Sequence, residues 1–63
     1  MSLSWEQTKE YVENLKGKEK QSFEFLFLKY CQSGMDGHNA TVSALDKYLE
    51  ILDERIKERE NNH

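Results

Sequence analysis

A chain of 63 residues supports one small domain at most, and its single cysteine, Cys31, excludes an intramolecular disulfide. With 12 acidic residues against 9 Lys and Arg, it lacks the basic excess of a protein held to nucleic acid by phosphate contacts. It also lacks the run of about 18 apolar residues that a membrane span needs, and its opening residues, Met1 to Glu6, carry neither the basic nor the apolar region of a secretory signal.

These features predict a single helical domain over residues 1–63 in a reducing, cytoplasmic setting with no membrane contact. So short a chain buries little apolar surface of its own, which favours completing the core by oligomerisation or by docking on a partner.

The first element begins at Ser4. Gln7 stands three residues on, the spacing of a capping box in which the two side chains satisfy orphan backbone donors. Trp5, Thr8, Val12 and Leu15 follow at helical spacing with Tyr11 beside them. Gly17 suits the left-handed residue after a helix end, and Lys16 complements the negative end of the helix dipole. The spacing predicts a helix over about 4–16.

The second element, about 19–33, holds the most apolar run, Phe23-Glu24-Phe25-Leu26-Phe27-Leu28. Phe23, Phe25 and Phe27 alternate as in a strand, whereas Phe23, Leu26, Phe27 and Tyr30 line one helical face. No other segment could pair with an isolated strand, and the flanking Lys, Glu and Gln residues favour helix. Phe25 and Leu28 fall off the main face, so this helix is expected to sit centrally, covered on more than one side.

Gly34, Asp36 and Gly37 mark a loop, after which Asn39 or Thr41 caps a third helix over about 40–58. Val42, Leu45, Leu49, Leu52 and Ile56 recur at spacings of 3, 4, 3 and 4, the pattern of a coiled-coil seam. A second row of Ala44, Tyr48 and Ile51 widens that core stripe into one wall of a multi-helix core. Asp53 and Lys57 form a favourable i,i+4 pair, and residues 59–63 are expected to fray.

Short connections between amphipathic helices predict an all-α, up-down-up three-helix bundle, closed alone or completed by dimerisation.

Signals of chemistry are weak. Cys31 and His38 flank the glycine loop as a nucleophile and base would, but nothing orients them as a third member must. Asp36, His38, Cys31 and Asn39 fall short of the four-ligand pattern of zinc and of the acidic ligand series of a calcium loop. Asn39-Ala40-Thr41 matches a glycosylation sequon, yet reads better as cap candidates.

The lysines at 16, 18 and 20 could meet phosphates, but Glu19 interrupts them. The exposed positions of the third helix, Asp46, Glu50, Asp53 and Glu54, would repel a nucleic-acid backbone. No cofactor is implied, and no enzymatic activity. The expected role is a protein–protein interaction module, a small regulator, adaptor or inhibitor that forms a homodimer or docks on a larger protein. Trp5, Tyr11, Phe25, Leu28, Tyr48 and Ile51 are the candidate contact residues. The alternative is a small dimeric nucleic-acid-binding or transcription accessory factor.

Overall fold

Three α-helices follow one another along the chain: α1, Trp5–Asn14; α2, Gly17–Gln32; and α3, Gly37–Asn61. The computed structural model describes residues 3–61, with the backbone alone at residue 61. The Phe23 to Leu28 run is helical throughout, and the described residues contain no strand. The architecture is an all-α three-helix bundle.

The start of α1 follows its capping box. The Gln7 N–H donates to Ser4 Oγ at 3.2 Å, and the Ser4 N–H donates to Gln7 Oε1 at 3.0 Å. Its end comes earlier than the sequence suggests. Leu15 and Lys16 are extended, so Lys16 belongs to the corner and not to the last turn of α1. Gly17 does adopt the left-handed conformation, at φ +62°, but as the first residue of α2.

At the other end of α2, Gly34 (φ +104°) and Met35 donate to the Cys31 and Tyr30 carbonyls, at 3.1 and 3.2 Å. This is the paired bonding of a Schellman stop, and it explains why the chain breaks here.

The third helix begins at Gly37, three residues ahead of the expected start. Asp36 is the cap: its Oδ1 accepts the Asn39 N–H at 2.7 Å, and its carbonyl accepts the Ala40 N–H at 2.8 Å. Thr41 is inside the helix, donating its hydroxyl to the Gly37 carbonyl at 2.6 Å. The helix is continuous through residues 59–61, part of the stretch expected to fray, where Arg59 and Glu60 are good helix formers. The Lys57–Asp53 pair, at 3.1 Å, supports this last stretch. Residues 62 and 63 of the expected frayed tail lie outside the described residues.

The centre of the bundle is α3, not α2. Both α2 and α1 pack against it, and they touch each other only slightly. Leu15, Phe23, Ala44, Leu45 and Tyr48 form the core, with Val12, Leu26, Phe27, Tyr30, Leu49 and Leu52 packed around it. On α3 the fully buried positions are Ala40, Ala44, Leu45 and Tyr48, so the buried face is rotated from the expected seam towards the second row. Val42, Leu49 and Leu52 are half-buried, and Ile56 is 55% exposed.

Ile56 departs from its expected place in the core for a simple reason. The 25 residues of α3 extend about 37 Å and the 16 of α2 about 24 Å, so the end of α3 overhangs its neighbour by roughly 13 Å. The molecule is accordingly long, 42 × 24 × 23 Å. Its accessible surface is 5221 Å², against the about 4,200 Å² expected of a closely folded monomer of 7.5 kDa.

Candidate functional site

On a helix with 100° between residues, Phe23, Leu26, Phe27 and Tyr30 share the face of α2 turned to α3. Phe23 is buried and stacks on Phe27, with ring centroids 6.3 Å apart and planes 21° off parallel. Phe25 and Leu28 fall on the opposite face and are 71% and 57% exposed. The alternating phenylalanines thus divide, two inward and one outward, because the period is 3.6 and not 2. The expected second cover over α2 is not supplied by this chain: α1 reaches only its flank.

Two grooves border the exposed face. One, between α2 and α3, is lined by Phe25, Leu26, Tyr48, Ile51 and Leu52, with Lys18 and Arg55 at its rim. The other, between α1 and α2, is lined by Val12, Phe23, Phe27 and Leu28, with Lys20 and Glu24 at its rim. Gln21 and Gln32 extend the Phe25–Leu28 row by a turn at each end, and Glu24 and Lys29 flank it on opposite sides. Phe25 and Leu28 stand out in the sequence by their apolar character; Gln21 and Gln32 are signalled only by the 4, 3, 4 spacing of Gln21, Phe25, Leu28 and Gln32, and Glu24 and Lys29 only by their places beside that row.

The six candidate contact residues do not form one surface. Tyr48 is a correction: at 4% exposure it is a core residue, because the buried face of α3 is centred on its row. Burial pushes its phenol above the ordinary 10.0, with Glu19 and Tyr11 adding to the shift and Arg55 opposing it. Ile51 is half-buried on the wall of the α2–α3 groove. Trp5 and Tyr11 lie on opposite edges of the face that α1 presents to the bundle, about 120° apart around its axis. Trp5 rests against His38, 4.1 Å between ring centroids, with Lys9 Nζ 5.7 Å from its own centroid. Only Phe25 and Leu28 stand together on an outward face.

The residues weighed for chemistry are also placed. His38 is engaged with Trp5, and Cys31 is a half-buried free thiol near the end of α2. Among the described residues no three His, Cys, Asp or Glu side chains gather as metal ligands would. The lysines at 16, 18 and 20 line the corner and first turn of α2 with Glu19 among them, and Asp46, Glu50, Asp53 and Glu54 are exposed along α3. Among the described residues no helix is long and apolar enough to cross a membrane. Comparison with protein-family models, with curated proteins and with solved structures gives no match.

Proposed function

We propose that the chain is a non-enzymatic protein–protein interaction module, a small helical regulator, adaptor or inhibitor that acts through the outward face of α2. The observation that carries this reading is the Phe25–Leu28 pair. A phenylalanine 71% exposed beside a leucine 57% exposed, one turn apart on one helix, lies outside the chain's own core. Single exposed apolar residues are ordinary; a large aromatic and an aliphatic side chain together, between two apolar grooves, make an apolar anchor of the kind an interface is built around.

The test is co-purification from the native host, comparing the wild-type chain with Phe25→Glu/Leu28→Glu. Both positions are exposed, so the variant keeps its fold. Proteins that accompany the wild type and are lost with the variant are the expected result. The same proteins retained in equal amount with both would refute the reading.

A further inference from the structure

We infer that the outward face of α2 is covered by α2 of a second copy of the chain, the two helices lying side by side and parallel about a two-fold axis. This rests on the interaction reading above and names the partner.

The row Lys18, Gln21, Phe25, Leu28, Gln32 follows the a/d spacing of a coiled coil, with two apolar layers at its centre, Gln32 closing one end and Gln21 followed by Lys18 the other. This face points away from α3, so the chain's central helix leaves the approach of a second copy open.

The charges decide the orientation. With Phe25 at an a position and Leu28 at d, Glu24 is at g and Lys29 at e. In a parallel pair each g residue faces the e residue five positions later on the other helix. Glu24 of one copy therefore meets Lys29 of the other, and the two-fold axis repeats the pair. An antiparallel pair would set the Glu24 edges against each other and the Lys29 edges likewise, two repulsions with no attraction, whereas the parallel pair sets its two Glu24–Lys29 attractions against one Lys18–Lys18 repulsion at the start of the helix. Within the chain neither residue is committed elsewhere: the ion pairs among the described residues are Lys47–Glu50 and Lys57–Asp53.

Two apolar layers make a short seam, and the dimer is one of modest affinity.

Sedimentation equilibrium of the full chain between about 1 µM and about 1 mM tests the inference. The expected result is a mass rising from monomer to dimer. Phe25→Glu/Leu28→Glu should stay monomeric with unchanged helicity. Glu24→Lys should weaken the dimer by about tenfold, and Glu24→Lys/Lys29→Glu should restore it.

Orientation is read from Gln21→Cys in a Cys31→Ser background. Parallel helices bring the two introduced thiols together, and oxidation yields a disulfide dimer. Antiparallel helices would hold them about 16 Å apart along the axis, beyond the reach of a disulfide.

A wild type that remains monomeric throughout overturns the inference, as does a dimer that survives Phe25→Glu/Leu28→Glu or a Gln21→Cys variant that does not cross-link. A monomeric wild type whose co-purifying proteins still depend on Phe25 and Leu28 would remove the homodimer alone. Loss of that dependence as well would remove the interaction reading with it.

Discussion

Leu45 and Ile56 occupy the same apolar repeat of α3, and the structure separates them sharply: one is 2% exposed, the other 55%. Replacing each with alanine measures that separation. Leu45 is enclosed in the cluster of Leu15, Phe23, Ala44 and Tyr48, so Leu45→Ala removes buried methyls and leaves a cavity, a loss of about 3 kcal/mol. A domain of this length has about 3–9 kcal/mol of stability in all, so the loss takes a third of it or more.

Ile56→Ala removes a side chain already more than half in water, on a stretch of α3 that no other helix covers. The burial lost is below about 1 kcal/mol, and the helix propensity of alanine returns a few tenths, for a net change within about 0.5 kcal/mol of zero. Urea unfolding followed by helical ellipticity at low micromolar concentration reads both. With a slope of about 1 kcal/mol per molar urea, Leu45→Ala lowers the midpoint by about 3 M or abolishes the folded baseline, and Ile56→Ala leaves it nearly in place. Equal losses at the two sites would show that the seam is buried to its end and that α3 does not overhang.

Asp36→Ala removes the cap that holds the Asn39 N–H at 2.7 Å and should cost about 1 kcal/mol in the same urea assay, whereas Asn39→Ala should cost less than half of that. Gly17→Ala forces an alanine to φ +62° and should destabilise by about 1 kcal/mol. Gly37→Ala, in an ordinary helical conformation with nothing within 4 Å of the added Cβ, should be neutral or stabilising by up to about 1 kcal/mol. The phenol of Tyr48 is raised above its ordinary 10.0 chiefly by burial, so its contribution is complete below the unfolded value and is lost as pH rises through the folded one. Stability measured by urea at increasing pH should therefore fall above about pH 10, and Tyr48→Phe should make that fall shallower.

The parts of the fold that depend on neighbours in sequence were the legible parts. The Ser4–Gln7 capping box, the break at Gly34 and the Asp53–Lys57 pair each involve residues within five positions of one another, and each stands where the sequence places it. The start of α3 was missed because Asp36, Asn39 and Thr41 are all competent caps. The choice fell to Asp36, which lets Gly37 and His38 join the first turn. The rotation of the buried face of α3 was not legible for a different reason. An apolar arc that includes both Leu45 and Tyr48 is wide enough to be turned either way, and its centre is set by where α1 and α2 sit. Helix lengths alone could have shown that Ile56 outruns its cover, once α2 was recognised as about nine residues shorter than α3.

Phe25 and Leu28 pose the opposite case: the sequence placed them off the main face, and the structure leaves them uncovered. The physical question is why a chain with so small a core spends two large apolar side chains outside it. Burying either would contribute about 1.5–3 kcal/mol, a large fraction of what a domain of this size possesses. Lysine or glutamine at both positions would suit an isolated helix as well or better and would remove an association-prone patch. Fold stability therefore gives no reason for a phenylalanine at 25. Contact with a second surface would, and in the dimer inferred above that surface is another copy of the same helix, with Glu24 and Lys29 paired across its edges.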